Sequence, residues 1–380
     1  MEQEINMLRE RGHQVRLLER LNSDIPARSL LSKARLLGTT VWSTSSYRDT
    51  QNLIHEWRPD IVHVHNYLPL LSPSVYYAAW ANSLPIVQTL HNYRLVCPGT
   101  LLHRNGIVCE DCVGRSTWRG TLHACYRDSH VASFAVSAML ESHRLLGSWR
   151  HVEAYIALSE FQRDKLVAGG LPAERLHVKP NCVAWNFPVR SGQGSYALYV
   201  GRLASEKGVQ TAVEAWAGAG QKEFRGLPLK IVGAGPLQDV LRRRTAGLGG
   251  RVELLGFRSR SEIAELLANA RLLIYPSEVY EPLGISVLEA YAAGVPVLAS
   301  RMGALEQIVL EGRTGALFMA GDAHDLRRAA VRLAEDAAAN MRMGQCARQT
   351  YLRLYTPERN YEQLMAIYGI ALERTRRQRR

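Results

Sequence analysis

Segment 270–290 constrains the fold of this chain more than any other part of the sequence. Residues 270–276 form an apolar run that predicts a buried strand, and Gly284 then opens an Ala-rich stretch that predicts a helix. A strand, a glycine turn and a helix start direct free backbone N–H groups and the positive end of the helix dipole at an anion. The segment therefore favours an α/β fold with an anion site at the carboxyl end of a strand.

Two carboxylates flank this helix start. Glu281 lies just before the glycine, and Glu289 follows eight residues later, inside the predicted helix. A carboxylate repels phosphate, so a carboxylate at an anion site is suited to binding hydroxyl groups instead. A ligand that carries both phosphate and hydroxyl groups is a sugar nucleotide. A plainer interpretation stays open: Glu281 is an N-terminal helix charge and Glu289 a solvated surface residue.

A second glycine loop indicates the same chemistry. Tyr196–Val200 predicts a short buried strand that Gly201 ends, and 229–237 repeats the pattern of strand and glycine turn. Arg202 and Lys207 thus lie on a loop at the carboxyl end of a strand, where open α/β sheets bind ligands. A guanidinium fork and an ammonium suit a diphosphate; the alternative is two solvated surface cations.

In this order the segments resemble the C-terminal half of the retaining glycosyltransferases of family 4. The family's Glu-x7-Glu motif matches Glu281 and Glu289, and its glycine loop matches Gly201, Arg202, Leu203, Lys207 and Gly208. Further matching positions are Ser159-Glu160-Phe161, Pro180-Asn181 and 303–308. The resemblance covers nearly the whole chain and implies the GT-B fold, in which two α/β domains, each Rossmann-like and doubly wound, face each other.

The resemblance also implies an activity: transfer of a sugar from a nucleotide-diphosphate donor to a glycan or lipid-linked acceptor, with retention of the anomeric configuration. It assigns Arg202 and Lys207 to the diphosphate, Glu289 to the ribose and Glu281 to the transferred sugar. Backbone amides contact phosphate and sugar; these belong to Leu283, Gly284, Ile285 and Ser286. The leaving diphosphate accepts the proton of the acceptor hydroxyl. The sequence contains no Asp-x-Asp motif, so neither a catalytic metal nor another cofactor is implied.

His91 is the second candidate catalytic residue. It follows the predicted strand 85–90, and the resemblance places it beside the transferred sugar. The alternative is a capping or core-edge histidine. His63 and His65 alternate along another predicted strand, so we expect their side chains to point to opposite faces.

The chain of 380 residues is long enough for two domains, each with its own core. Short apolar strands alternate with helices, and the alternation restarts after the polar segment 188–195. We expect an acceptor-side Rossmann-like domain over 1–187, a nucleotide-sugar-binding domain over 188–357, and a closing helix with a basic tail over 358–380.

The start of the sequence departs from the family pattern. Residues 2–12 predict a helix and 13–19 a strand, whereas family members place a strand and a Gly-Gly loop before that helix. We therefore expect the first strand of the N-terminal domain to be missing from a chain whose start is incomplete, because a lost central strand exposes two ladder edges.

Four of the six cysteines fall close together: Cys97, Cys109, Cys112 and Cys125. The Cys-x2-Cys pair has metal-ligand spacing, so a structural zinc site is one interpretation. Free thiols and redox chemistry are the others, since reducing conditions argue against disulfides.

The formal net charge of +12 includes an arginine-rich C-terminus. No recognition motif for nucleic acid accompanies the charge, so nucleic acid is not an expected partner. Segment 134–149 predicts an amphipathic helix with a basic edge, which buries one face in its own domain or makes peripheral membrane contact. No secretory signal and no apolar run of membrane-spanning length is present, so we expect a cytoplasmic protein, with the inner face of the membrane as an alternative location.

Two rival functions fit the same pattern. A sugar-nucleotide epimerase can have this architecture, and a non-catalytic nucleotide-sugar-binding protein would keep the donor site without turnover. A dinucleotide-dependent dehydrogenase is disfavoured, because no Gly-x-Gly-x-x-Gly run opens a helix with an acid about 20 residues later. The sequence favours UDP or GDP sugars and a polysaccharide acceptor without fixing either.

Overall fold

A computed structural model describes residues 1–20, 38–68, 70–218, 224 and 226–379. The chain folds into two compact units. The first contains residues 1–104, 109–180 and 361–380, and the second contains 105–108 and 181–360. Each unit is an α/β structure with its own parallel sheet, as the alternation of strands and helices predicted.

The first unit is built on a four-stranded parallel sheet of order β1-β2-β5-β6. Its strands are β1 Val62–Val64, β2 Ile86–Thr89, β3 His103–Arg104, β5 Ala154–Ala157 and β6 Leu176–Val178, while β4 Ile107–Val108 falls within the residues assigned to the second unit. Its helices are α1 Glu2–Glu10, α2 Thr44–Trp57, α3 Ser74–Ala81, α4 Trp118–Leu122, α5 His130–Leu145 and α6 Glu160–Ala168. A short 3₁₀ helix, Ser148–His151, follows α5, so the helix predicted over 134–149 begins earlier and ends earlier than expected.

The strand predicted over 13–19 is wrong. The structure places α1 where a helix was expected, but residues 13–20 form no strand. A strand exists only where a neighbouring strand pairs with its backbone groups. Within the described ranges, the sheet of this unit has β1 at one edge and β6 at the other, and neither pairs with 13–20.

The second unit is built on a six-stranded parallel sheet of order β12-β11-β10-β7-β8-β9. Its strands are β7 Tyr196–Val200, β8 Leu229–Val232, β9 Val252–Gly256, β10 Ala270–Tyr275, β11 Val297–Ser300 and β12 Gly315–Phe318. Its helices are α7 Val209–Ala217, α8 Gln238–Thr245, α9 Arg260–Ala268, α10 Ile285–Ala292, α11 Ala304–Ile308, α12 Ala323–Glu335 and α13 Ala337–Leu354. The central strands are apolar without alternation because helices cover both faces of the sheet.

A last helix, α14, runs from Pro357 to Gln378. From Tyr361 onward it belongs to the first unit. There Leu364, Ile367 and Ala371 pack with α1 residues and with inward-facing residues of β2 and β5. The end of the chain therefore completes the core of the unit with which the chain begins.

None of the helices in the described part of the chain combines the length and the apolar composition needed to cross a membrane.

Candidate active site

Two glycine turns at the carboxyl ends of β7 and β8 are packed directly against each other. The amide of Gly201 donates to the carbonyl of Val232 at 3.1 Å, and that of Leu203 donates to Ala234 at 3.0 Å. A Cβ atom on Gly233 would lie 1.9 Å from the carbonyl oxygen of Gly201. Glycine is therefore required here so that two backbones can approach, and the loop that carries Arg202 is fixed in place.

The same loop is pressed against the segment that follows β10. Gly208 has a φ of +63°, and a Cβ atom there would lie 1.8 Å from the carbonyl oxygen of Pro276. The amide of Glu278 donates to the carbonyl of Glu206 at 3.0 Å. These contacts bring Lys207 to the stretch that leads into α10.

Lys207 and Glu281 form the centre of this site. Their Nζ and Oε1 atoms lie 2.5 Å apart. The hydroxyl of Ser277 donates to the same carboxylate oxygen at 2.7 Å. Glu281 is 8% exposed and Ser277 1%, so the carboxylate is held by a cation and a hydroxyl in a place nearly closed to water.

Glu289 lies near the same group of side chains. Burial raises the pKa of Tyr275 well above its ordinary value, and the neighbouring carboxylates of Glu281 and Glu289 raise it further. Burial also raises the pKa of Glu289 itself, an effect that Arg260 partly offsets. Both predicted acids therefore act electrostatically on one tyrosine at the end of β10.

The amino end of α10 supplies backbone donors beside these acids. Gly284 precedes the helix with a φ of +92°, and no side chain caps the first turn. Leu283 and Gly284 are buried, Ile285 is exposed, and the hydroxyl of Ser286 donates to the carbonyl of Val200 at 3.1 Å. The helix start is thus tied to the end of β7 and keeps N–H groups available for an anion.

Arg202 has a different partner from Lys207. Its guanidinium pairs with Glu206 on the same loop, and its side chain is 57% exposed. The tyrosine hydroxyl of Tyr199 donates to its carbonyl at 2.9 Å, which fixes the backbone. The structure brings Lys207 and Glu281 together, whereas Arg202 pairs with Glu206, a carboxylate that was not predicted as a site residue.

A cavity of about 470 Å³ lies at the carboxyl ends of β8 and β9. Leu203, Gly233 and Gly256 line it together with side chains of α8, including Gln238 and Arg242. Leu203 belongs to the glycine loop, so the cavity adjoins the loop that carries both predicted cations.

In the first unit, His91 is part of a cluster of three histidines. Its Nε2 atom lies 2.8 Å from Nδ1 of His65, and the His63 and His65 rings stack with centroids 4.4 Å apart. The prediction that His63 and His65 point to opposite faces is wrong, because β1 ends at Val64 and His65 lies beyond the strand. His91 also lines a cavity of about 500 Å³ in this unit.

Glu4 lies against two histidines of this cluster. Its Oε1 atom lies 3.4 Å from Nε2 of His65. Burial raises the pKa of Glu4, but the hydrogen bond from His65 and the charge of Lys179 outweigh it and hold that pKa well below its ordinary value. Nε2 of His91 and Nδ1 of His65 share one hydrogen bond, so Nδ1 is the other ring nitrogen of His91.

Burial favours the neutral form of His63 and His91. Desolvation lowers the pKa of His91 to about 4, and the charge of a neighbouring His65 adds to the effect. Desolvation lowers the pKa of His63 to about 3. Gln162, which is fully buried, donates to the carbonyls of Leu90 and Asn92 at 2.9 and 3.3 Å and so holds the backbone on both sides of His91.

Glu4, His63 and His65 are close enough for a shared metal ion. The ring nitrogens of His63 and the carboxylate of Glu4 already have other partners, however. His63 is bonded through Nδ1 to the Tyr368 hydroxyl at 2.7 Å and through Nε2 to Thr89 at 2.8 Å. The ammonium of Lys179 lies 2.9 Å from the second oxygen of Glu4, so a cation already neutralises this carboxylate.

The four clustered cysteines are free thiols. Among the described residues, one group of three or more His, Cys, Asp or Glu side chains has all its potential ligand atoms within 4.8 Å of one another. This group is Glu4, His63 and His65, and it contains no cysteine. Burial raises the pKa of Cys97 and Cys125, and that of Cys112 to about 12. The geometry of Cys97, Cys109, Cys112 and Cys125 therefore lends no support to the zinc interpretation and agrees with free thiols.

Five residues of these two groups were not predicted as site residues from the sequence: Ser277, Tyr275 and Glu206 in the second unit, and Glu4 and Lys179 in the first. Tyr275 and Ser277 sit at the carboxyl end of β10, a position that could have identified them. No local pattern marks Glu4 or Lys179, because 175 residues separate the two.

Two family models match the chain and together span most of it. The model described as Glycosyltransferase Family 4 matches residues 2–184, and that described as Glycosyl transferases group 1 matches residues 187–350. The chain belongs to glycosyltransferase family 4. This family 4 glycosyltransferase carries the Glu281 and Lys207 site in the part matched by the second model.

Curated relatives agree with this family. Glycogen synthase of Mycobacterium tuberculosis (strain ATCC 25618 / H37Rv) is 31% identical over 304 residues, which cover 77% of this chain and 64% of that protein. Alpha-D-kanosaminyltransferase of Streptomyces kanamyceticus is 28% identical over 236 residues, which cover 58% and 61%. The chain thus spans less than two thirds of the length of each of these relatives.

Solved structures show the same fold. Anabaena HepE in complex with UDP superposes with a TM-score of 0.65 at 19% identity, over 85% of this chain and 81% of that one. Sucrose-phosphate synthase from Thermosynechococcus elongatus also has a TM-score of 0.65 at 19% identity, over 88% and 79%. The predicted GT-B fold class is confirmed.

Proposed function

We propose that this family 4 member is a retaining glycosyltransferase that moves a sugar from a nucleotide-diphosphate donor to a glycan or lipid-linked acceptor. The observation that carries the proposal is the group Lys207, Glu281 and Ser277 beside the uncapped start of α10. It combines a cation, a carboxylate and helix amides, which are the groups that a phosphorylated sugar needs. The relatives with glycosyltransferase and synthase names support this choice.

In the proposed donor complex, Lys207 leaves Glu281 and binds the diphosphate. The pair in the free protein keeps the ammonium in position while no anion is present. Arg202, which is exposed and paired with Glu206, moves to the same diphosphate. Amides of Leu283, Gly284, Ile285 and Ser286 add the positive end of the α10 dipole.

The two acids bind hydroxyl groups in this proposal. Glu281, once released by Lys207, accepts from hydroxyls of the transferred sugar, and Glu289 accepts from the ribose. The cavity beside Leu203 takes the nucleoside. HepE was solved with UDP, and its shared fold supports a nucleotide at this end of the sheet.

Transfer then proceeds on one face of the sugar. The oxygen of the acceptor hydroxyl bonds to the anomeric carbon as the bond from that carbon to the diphosphate oxygen breaks, and the hydroxyl proton passes to the departing diphosphate. Lys207, Arg202 and the α10 amides stabilise the charge that develops on this leaving group. In this proposal Glu281 is not the nucleophile, because it accepts hydrogen bonds from Ser277 and from hydroxyls of the transferred sugar.

His91 supplies a hydrogen-bond acceptor to the transferred sugar. In this proposal Nε2 of His91 donates to Nδ1 of His65, which lies 2.8 Å away, so Nδ1 of His91 is the atom left for a sugar hydroxyl. In this proposal His65 and Glu4 are positioning residues, because they select the tautomer of His91 without contact with the sugar.

The proposal is tested by product analysis with UDP and GDP sugars. With donor and a panel of glycan acceptors, we expect a new glycosidic bond whose anomeric proton coupling in NMR matches that of the donor. With donor alone, slow hydrolysis to free sugar is expected. An inverted linkage would contradict retention, and an epimerised donor would replace the transferase with an epimerase.

A further inference from the structure

An apolar patch lies on the outer side of α4 and α5 in the first unit. Leu122 is 72% exposed, Val131 61% and Leu145 85%. We call the following set the α4–α5 patch: Trp118, Leu122, Val131, Phe134, Leu145 and Leu146, all of which are exposed. Single exposed apolar residues are ordinary, but a group of this kind marks an interaction site.

The patch residues at the start of α5 contact those of α4. The rings of Trp118 and Phe134 lie with their centroids 5.2 Å apart. His130 Nδ1 lies 2.8 Å from the carbonyl oxygen of Thr121, which ties the start of α5 to α4. With 3.6 residues per turn, positions 131, 134 and 145 fall on one side of α5.

The fold does not need these side chains for its core. Val136, Met139 and Leu140 occupy the opposite side of α5 and are buried. Thr117 and Glu141 join α4 to α5 through a hydrogen bond of 2.9 Å that involves no patch residue. The outer apolar side chains are thus left for a partner.

Positive charge surrounds the patch. Segment 113–150 contains five arginines against Asp128 and Glu141. Glu141 is buried and paired with Arg144, so these two charges offset each other, and the other four arginines of the segment remain against Asp128. The exposed arginines of this segment are Arg115, Arg119, Arg127, Arg144 and Arg150. An anionic partner is therefore favoured.

We propose that the α4–α5 patch binds the surface of an anionic lipid membrane. Aromatic and aliphatic side chains insert at the boundary between headgroups and acyl chains, while arginines bind lipid phosphates. A second copy of the chain fits less well, because self-association would place two basic borders against each other. The proposal is independent of the donor site and needs no nucleotide.

The test is sedimentation of the full chain with lipid vesicles. We expect binding to vesicles of phosphatidylcholine with phosphatidylglycerol, little binding to phosphatidylcholine alone, and release at high salt. Leu122→Ser combined with Leu145→Ser should weaken binding at least tenfold without lowering the melting temperature. Leu352→Ser removes an exposed apolar side chain from the second unit and serves as the control; its binding should match wild type.

Three results would overturn the proposal. Wild type that stays in solution with anionic vesicles excludes it. A double variant that binds as wild type does shows that another surface contacts the lipid. A concentration-dependent dimer in light scattering, abolished by the double variant, shows that a second copy covers the patch instead. Each result leaves the donor-site proposal untouched, since no nucleotide is present.

Discussion

The Lys207 site and the histidine cluster both contain a lysine paired with a glutamate, yet the two pairs differ in exposure. Lys207 is 25% exposed and pairs with a carboxylate beside an uncapped helix start. Lys179 is 1% exposed, and its partner Glu4 also contacts His63 and His65. The first pair is accessible to an incoming anion. The second pair is shielded from solvent, and its charged groups already have partners. We therefore propose that the first pair exchanges partners when the donor binds, and that the second pair stabilises the first unit.

The largest effect is expected for Lys207→Ala. Removal of a preorganised cation from a developing negative charge lowers kcat by about 100- to 1,000-fold. Glu281 is 8% exposed and keeps its bond to Ser277 but loses its cation, so the variant should also melt at a lower temperature, and kcat is measured well below that temperature. Lys230→Ala is the matched control, because Lys230 lies near the start of β8 and pairs with Glu253 at 3.8 Å. Equal kcat in Lys207→Ala and Lys230→Ala would mean that Lys207 does not bind the diphosphate.

Lys179→Met should lower the stability of the protein and leave its affinity for the diphosphate unchanged. It leaves the buried carboxylate of Glu4 without its cation, which costs about 3–5 kcal/mol of unfolding free energy. The double variant Lys179→Met, Glu4→Gln should recover part of this loss in chemical denaturation. Lys165→Met, which removes a more exposed pair with Glu110, should cost about 1 kcal/mol or less. A loss no larger than that control would mean that the cluster is not a closed structural unit.

The two regions should respond to pH with opposite signs. The pKa values of His63 and His91 fall to about 3 and about 4 on folding, from 6.5, so the unfolded state binds more protons below pH 6.5. Stability of the first unit should therefore fall with decreasing pH, by about 1.4 kcal/mol per pH unit for each imidazole until its folded pKa is reached. The pKa of Glu289 is raised on folding, so its contribution is present at low pH and lost as pH rises.

The opposite pH dependence of stability in the two units can be measured by hydrogen exchange of α1 and α10 peptides between pH 4.5 and 7, after correction for intrinsic exchange rates. His63→Gln should flatten the response of α1 alone. If protection of α1 does not change over this interval, the histidines are not held neutral by burial.

The smallest effect is expected for Ser277→Ala. It removes one hydrogen bond of 2.7 Å to Glu281, and a bond to a charged group contributes about 1.5–3 kcal/mol. We expect kcat/KM for the donor to fall about tenfold, measured by initial rates. Ser261→Ala, on the exposed start of α9, is the control and should retain full activity. An unchanged rate in Ser277→Ala would show that Glu281 needs no second partner.

Sequence patterns identified what is local and missed what joins distant parts of the chain. β7 and β10 were predicted almost to their observed ends because a strand closed by glycine or proline is a local signal. Lys207 and Glu281 were each found on such loops, but their 2.5 Å contact depends on the close approach of Gly208 to Pro276. Glu4 and Lys179 could not be paired in advance, since neither lies in a motif and the fold alone joins them.

The most direct test of the central claim is calorimetric titration of nucleotides into wild type and Lys207→Ala. Nucleoside diphosphates, UDP and GDP first, should bind wild type and bind the variant at least tenfold more weakly, while the parent nucleosides bind both proteins equally. If the variant binds the diphosphate as tightly as wild type does, the pair of Lys207 and Glu281 is not the donor site.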